Sequence, residues 1–346
     1  MKSRKMLLLR NIIVLVFSLM FLVGGGCCLY ADQLLNKIDF VSPDSGGSGD
    51  ATDSMPNGLI SSGTAKAGIV GGLYHDDAVM NILLLGTDDY QSNDVGRSDS
   101  MMLVSVDTRH KKLKVTSLMR DLYVAIPGYG SNKLNAAYSL PGGKEKGARE
   151  VVSTVEANFG VDINRFVIVD FTAFPKIIDS LGGVEITLSK ETNSSGENEA
   201  DLINTYSGDS KKVHTGVNNL TGLQARYYSR IRAIGDDYER TERQRKVFAS
   251  VISKMKTSNL AKIDSVLASA LPLVTTNMTK NEVVSLAANS LTYLNYPVSQ
   301  HRVPADGEFE PKTLDVGACL VPDLSKCKQS LAKFIFENDI PQKTYS

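Results

Sequence analysis

The distribution of apolar and polar residues predicts that strands and helices alternate along this chain. Four short and nearly continuous apolar runs are typical of buried strands. They span residues 79–88, 100–107, 112–118 and 165–171. The polar segment 108–111 separates the second run from the third, which favours a hairpin between them.

Apolar residues at helical spacing predict the remaining elements. The predicted helices span residues 144–159, 174–183, 220–230, 236–256, 280–293 and 324–336. Alternating strands and helices predict an α/β fold, in which a mixed central β-sheet is flanked by helices as an α-β-α sandwich. We place the main domain at residues 79–256, with a C-terminal extension of helices and strands, 257–346, packed on it.

The N-terminal region has a different pattern. Residues 11–30 are uncharged and mostly apolar, long enough to cross a bilayer, and every basic residue of the first thirty precedes them. The positive-inside rule predicts a cytoplasmic tail (1–10), a single transmembrane helix (11–30) and an extracellular remainder. A cleaved signal peptide and lipoprotein processing at Cys27 are the alternatives.

A linker is predicted to follow this span. Residues 31–78 include the stretch 42–72, which is rich in Gly, Ser and Asp and has no periodicity. The extracellular location permits disulfides, so we predict one between Cys319 and Cys327, with two free thiols as the alternative.

The charge distribution of the chain argues against one class of function, nucleic-acid binding. The chain has 38 basic and 38 acidic residues, and the first thirty contain four basic residues and no acidic one. The remainder is therefore mildly acidic, with a net charge of about −4, whereas nucleic-acid-binding domains are usually basic. No nucleic-acid partner is expected.

One predicted helix carries polar residues on its apolar face. At about 100° per residue, Val247, Val251 and Met255 define the core side of helix 236–256. Three polar residues continue that face: Asp237, Arg240 and Gln244. A buried arginine needs a partner, because burying its charge alone costs several kcal/mol. An anionic ligand or a protein carboxylate could compensate it, and a solvated helix with salt bridges is the alternative.

Further charged residues could bind a phosphorylated ligand. Asp88 follows one predicted strand and Asp99 precedes the next, an arrangement that suits Mg²⁺, with Mn²⁺ as a substitute. Turn-forming aspartates are the alternative. Guanidinium groups offer paired donors to a pyrophosphate. The basic candidates are Arg97, Arg120, Lys133, Arg230, Arg232 and Arg240.

In combination, these motifs resemble the LytR-CpsA-Psr family over residues 79–256. The motifs include GRSDSMMLVSVD, SLMRDLYVAIPGYGSNKLNAAY, LTGLQARYYSRIR and DDYERTERQ. The resemblance implies an apolar cavity for a lipid tail. It also implies transfer of a glycan polymer from undecaprenyl pyrophosphate to peptidoglycan, which forms a phosphodiester and releases undecaprenyl phosphate. Teichoic acid, capsule or another wall polysaccharide could be the polymer.

The resemblance also assigns roles to residues. Asp88 and Asp99 match the family's magnesium-associated aspartates, although the neighbouring Asp89 leaves the first assignment open by one residue. Gln244 joins the six basic candidates around the pyrophosphate. The predicted catalytic residues are Arg120, Asp237 and Arg240, with Asp237 either orienting arginines or acting as a base. The alternative functions are a transcriptional attenuator, a non-catalytic wall protein that binds lipid or glycan, and a polyprenyl-pyrophosphate pyrophosphatase.

Overall fold

The computed structural model of the chain describes residues 35–41, 67–70, 72–87, 96–170, 173–235, 237–257, 271–293 and 296–337. The predicted membrane span at 11–30 lies outside them. So do most of the predicted linker and Asp88, Asp89 and Asp236. Within the described residues, no helix is long and apolar enough to cross a bilayer.

The strands of the described residues follow the chain in this order. They are β1 (Asp39–Phe40), β2 (Ala67–Val70), β3 (Leu73–Asp76), β4 (Val79–Thr87), β5 (Ser98–Asp107), β6 (Lys112–Leu118), β7 (Tyr123–Ile126), β8 (Gly130–Lys133), β9 (Arg165–Asp170), β10 (Val184–Leu188), β11 (Gly216–Leu220), β12 (Val274–Thr276), β13 (Val298–Val303), β14 (Phe309–Leu314) and β15 (Gly317–Pro322).

The helices are interspersed among these strands. They are α1 (Ala136–Ser139), α2 (Lys144–Phe159), α3 (Ala173–Ser180), α4 (Glu199–Tyr206), α5 (Gly222–Tyr228), α6 (Asp237–Thr257), α7 (Lys280–Tyr293) and α8 (Leu324–Phe336). A short 3-10 helix spans Leu271–Leu273. The predicted helices at 144–159, 280–293 and 324–336 are confirmed with these bounds.

The chain folds into two compact units. The sheet unit comprises residues 40–169, 275–285 and 296–346. The helical unit comprises residues 1–39, 170–274 and 286–295. Both ranges include residues that the structure does not describe.

A seven-stranded sheet forms the core of the sheet unit, in the order β1-β12-β9-β4-β5-β6-β13. Strands β4, β5 and β6 are antiparallel neighbours, and β13 pairs with β6 in parallel. The predicted mixed sheet and the predicted hairpin of β5 and β6 are therefore confirmed. Strand β4 is buried along almost its entire length, as its continuous apolar run predicts.

The helical unit has an apolar core of its own. The antiparallel pair of β10 and β11 and helices α3 to α6 contribute to it, and buried members include Ile178, Ile203, Tyr228 and Val247. Helix α5 approaches α3 closely at Gly222, where an added Cβ would lie 2.1 Å from the carbonyl oxygen of Pro175. A side chain at position 222 would therefore force the two helices apart.

The predicted disulfide is not formed in the structure. Among the described residues, Cys319 and Cys327 are buried free thiols. The Cys319 thiol donates to the carbonyl oxygen of Lys312 at 3.4 Å, and the Cys327 thiol donates to that of Glu308 at 3.7 Å. Burial raises the pKa of Cys327 to about 12, so this thiol is unreactive near neutral pH.

A half-buried histidine connects β3 to the segment between α2 and β9. The His75 ring nitrogens lie 2.7 Å from an Asp162 carboxylate oxygen and 2.9 Å from an Asp77 oxygen. The hydrogen bond with Asp162 has the largest effect, burial opposes it, and Asp77 adds to it, so the pKa of His75 rises from 6.5 to about 9. The charged imidazolium is therefore the stabilised form.

We expect this histidine to make unfolding dependent on pH. Because its pKa is higher in the folded state, its stabilisation is complete below about pH 6.5 and is lost as pH rises through about 9. The wild-type protein should therefore exceed His75→Gln in unfolding free energy by about 1–3 kcal/mol at pH 6. Urea titrations at pH 6 and pH 10 test this, and a difference that does not shrink at pH 10 would contradict it.

Candidate functional site

The predicted site residues are divided between the two units. Asp99, Arg97, Arg120 and Lys133 belong to the sheet unit. Arg230, Arg232, Asp237, Arg240 and Gln244 belong to the helical unit. Asp88 lies outside the described residues.

In the sheet unit, the hairpin of β5 and β6 brings Asp99 and Arg120 together. Met101 pairs with Leu118 at the end of this ladder, and Asp99 lies two residues before Met101 while Arg120 lies two residues after Leu118. The guanidinium Nη1 of Arg120 lies 3.1 Å from Oδ1 of Asp99. The register of two strands therefore creates this ion pair between residues distant in sequence.

The ion pair extends to a second carboxylate and a second cation. The Nε of Arg120 donates to Asp121 at 3.2 Å, and Lys133 Nζ lies 3.1 Å from the other Asp121 oxygen. Strand β8 positions this lysine, since Lys133 pairs with Tyr123 of β7. All four side chains are about one-fifth exposed, which leaves them open to a ligand.

The structure adds a site residue that the sequence did not predict and shows how the RSDS motif is exposed. Asp121 was not among the predicted site residues, although it directly follows Arg120 in the motif SLMRDLYVAIPG. Arg97 is exposed, Ser98 is fully buried, and the last two residues of the RSDS motif are half-buried. The strand end at β4 also approaches β5, because Thr87 pairs with Ser98.

In the helical unit, two arginines alternate with a buried residue. Arg230 and Arg232 are exposed, whereas Ile231 between them is only 2% exposed. Exposure therefore alternates with a period of two in this segment between α5 and α6. Both side chains are accessible to an anionic ligand.

Helix α6 contains the buried arginine that the helical spacing predicted. Arg240 is 2% exposed and lies on the side of the helix that includes the core residue Val247. Gln244 is half-buried, and its Nε2 lies 3.4 Å from the carbonyl oxygen of Ser229. Asp237 is the first residue of α6, and its side chain lies outside what the structure describes.

Arg243 is a second buried arginine on α6 that the sequence analysis did not single out. Its Nε donates to the buried carboxylate of Glu199 at 2.7 Å. Its other nitrogens donate to the carbonyl oxygens of Ile231 at 3.1 Å and Ile234 at 2.9 Å. Arg243 thus fixes the segment that carries Arg232, and its position four residues before Val247 could have revealed it.

A different group of side chains has the composition of a metal site. Within the described part of the chain, one atom each of Asp107, His110 and Glu337 lies within 4.8 Å of the others. The ammonium of Lys114 already lies 2.6 Å from Asp107 and 3.1 Å from Glu337. This lysine neutralises the carboxylates, and neither predicted metal ligand belongs to the group.

Comparison with known proteins places the chain in a family. The LytR_cpsA_psr family matches residues 56–333. Two proteins named polyisoprenyl-teichoic acid–peptidoglycan teichoic acid transferase are similar. TagV of Bacillus subtilis is 33% identical over 60% of this chain and 51% of its own length. TagU of Bacillus cereus is 33% identical over 71% of this chain and 75% of its own length.

A solved structure has the same fold. It is the LytR-CPS2A-psr family protein YwtF (TagT) of Bacillus subtilis with bound octaprenyl pyrophosphate lipid, with a TM-score of 0.56 and 22% identity. The alignment covers 75% of this chain and 90% of that one. This chain belongs to the LytR_cpsA_psr family.

Proposed function

We propose that this protein transfers a glycan polymer from undecaprenyl pyrophosphate to peptidoglycan and releases undecaprenyl phosphate. Family membership and the names of TagU and TagV support transfer of a wall polymer. The single observation that carries the proposal is the group of Asp99, Arg120, Asp121 and Lys133 at one strand end. These side chains combine the charges that bind and neutralise a phosphorylated substrate.

The proposed reaction is a displacement at phosphorus. The acceptor is the C6 hydroxyl of N-acetylmuramic acid, whose oxygen attacks the phosphorus that bears the glycan. The bond from that phosphorus to the bridging oxygen breaks, and undecaprenyl phosphate leaves with the electron pair. The hydroxyl proton passes to a base, for which Asp237 is the candidate. The product is a phosphodiester between glycan and peptidoglycan.

Arginine is suited to the charge that develops in this reaction. A guanidinium group offers several hydrogen-bond donors in one plane together with a positive charge. In the structure the donors of Arg120 contact two carboxylates, so a pyrophosphate would have to compete with them. We propose the same role in phosphate binding for Arg97 and Lys133. For Arg230, Arg232, Arg240 and Gln244 the family resemblance supports it.

A divalent cation fits the donor set of the sheet unit. Arg120 contacts Oδ1 of Asp99, and the half-buried carboxylate has a second oxygen with which to hold Mg²⁺, or Mn²⁺ in its place. Asp88 is the second proposed ligand. A bound Mg²⁺ would neutralise phosphate charge and complete its shell with phosphate oxygens and water.

A metal titration tests this assignment. Asp99→Asn should raise the Mg²⁺ concentration for half-maximal transfer by about tenfold or more, because the amide is a weaker ligand for a hard cation. Electron paramagnetic resonance of bound Mn²⁺ should show the same loss of affinity. Asp121→Asn is the matched control, since it perturbs Arg120 without removing a proposed ligand. An equal loss in both variants would refute the role of Asp99.

We also propose that the chain is anchored by residues 11–30, with its N-terminus cytoplasmic and its folded units extracellular. The charge distribution of the first thirty residues supports this orientation. Single cysteines introduced at positions 42–72, in a background lacking Cys27 and Cys28, test it. A membrane-impermeant reagent should label them in intact cells, and protection would instead favour the attenuator.

A further inference from the structure

Two tyrosines form a stacked pair on the helical unit. Tyr206 is the last residue of α4, and Tyr227 lies in the last turn of α5. Their ring centroids are 6.0 Å apart, and the rings are inclined by 26°. This offset stacking holds both rings in one orientation.

The two rings differ in their exposure. Tyr227 is half-buried and packs against the apolar core of the helical unit, which holds its ring in place. Tyr206 is 58% exposed and stacks on Tyr227, so much of its ring remains open to solvent.

The charge of a carboxylate also acts on Tyr227. Burial is the main cause of the raised pKa of Tyr227, and the charges of Tyr206 and Glu197 add to it. Glu197 is half-buried, and one of its oxygens receives a hydrogen bond from Asn193 at 3.0 Å.

The pair is also close to an arginine assigned to the substrate. The backbone N–H of Arg230 donates to the carbonyl oxygen of Tyr227 at 2.8 Å. Arg230 follows Tyr227 by one turn, and its exposed side chain is a proposed ligand of the pyrophosphate. A group joined directly to that pyrophosphate would have to lie within a few ångströms of it.

We propose that Tyr206 and Tyr227 form a platform for the first sugar of the pyrophosphate-linked donor. The C–H groups of a pyranose ring carry slight positive charge and suit the negative face of an aromatic ring. The donor sugar is the group joined covalently to the pyrophosphate that Arg230 is proposed to bind, and the binding test below distinguishes it from the peptidoglycan acceptor. This inference rests on the proposed function and adds a subsite to it.

Two soluble probes test the platform by binding alone. The first is farnesyl diphosphate, and the second is the same lipid with N-acetylglucosamine attached to its terminal phosphate. Wild-type protein should bind the sugar-bearing probe about threefold to tenfold more tightly than farnesyl diphosphate. This is the gain in affinity expected from one stacked contact. Tyr206→Ala should lose this preference and still bind farnesyl diphosphate normally. Tyr206→Phe should retain it, because the ring remains.

Val217→Ala provides the matched control, since Val217 is also 58% exposed in the helical unit. It should leave both affinities unchanged. Equal binding of the two probes by wild-type protein, or a preference that survives in Tyr206→Ala, would overturn the platform. So would a Tyr206→Ala defect seen only with peptidoglycan fragments. If farnesyl diphosphate itself does not bind, the proposed function fails, and the platform fails with it.

Discussion

Replacing Arg120 with alanine is expected to lower glycan transfer by about a hundredfold or more, without unfolding the protein. The magnitude is that of losing one preorganised charge that stabilises the transition state. The side chain is 17% exposed and pairs with Asp99 and Asp121, which are themselves about one-fifth exposed. Its removal leaves two carboxylates that water can still reach. Transfer should be measured with lipid-linked glycan and peptidoglycan, and folding by circular dichroism.

Two further variants separate a substrate contact from a loss of charge. Arg149 is 23% exposed and pairs with Glu145 one turn away on α2, so Arg149→Ala removes a comparable ion pair elsewhere in the sheet unit. It should leave transfer unchanged. Arg120→Lys keeps the charge and loses the planar arrangement of donors, so it should recover only part of the activity. Full transfer by a folded Arg120→Ala protein would remove Arg120 from the site.

The largest expected loss of stability follows from breaking the ion pair of Arg243 and Glu199. Both side chains are about 5% exposed or less, and Arg243 also donates to two backbone carbonyls. Arg243→Met should lower the free energy of unfolding by about 3–5 kcal/mol, because it leaves a buried carboxylate without its cation. Chemical denaturation monitored by circular dichroism measures the loss.

The same helix provides the control for this prediction. Glu242 and Lys246 form an ion pair on α6 with about half of each side chain exposed. Glu242→Gln should change the unfolding free energy by less than about 0.5 kcal/mol. The double variant Arg243→Met and Glu199→Leu should recover part of the lost stability, since neither charge of this pair is then left buried alone. A loss below about 1 kcal/mol in Arg243→Met would show that this pair does not stabilise the fold.

The sequence predicted the elements whose patterns are strong. The continuous apolar run of β4 and the helical spacing in α2 led to bounds within a residue or two of the observed ones. The hairpins of β7 with β8 and of β14 with β15 were not predicted. Strand β14 is largely exposed and contains Pro311, so it lacks the apolar alternation that marks a half-buried strand.

Only part of the candidate site could be predicted from the sequence, namely the part that depends on helical periodicity. The spacing of α6 identified Arg240 as buried, because a helical face can be computed from the sequence. The contacts of Arg120 with Asp99 and Asp121 depend on strand register and on local geometry, which residue order alone does not provide. The partner of Arg243 lies 44 residues away at the start of α4, and only tertiary structure brings the two together.

Product analysis of a reconstituted reaction tests the central claim most directly. The full-length protein in detergent would be given an undecaprenyl-pyrophosphate-linked glycan, Mg²⁺ and peptidoglycan, and the products followed by phosphorus NMR and mass spectrometry. The proposed function predicts undecaprenyl monophosphate together with a phosphodiester on the C6 oxygen of N-acetylmuramic acid, and loss of both products in Arg120→Ala. Monophosphate formed with a free glycan phosphate and no phosphodiester would instead identify a pyrophosphatase and contradict transfer.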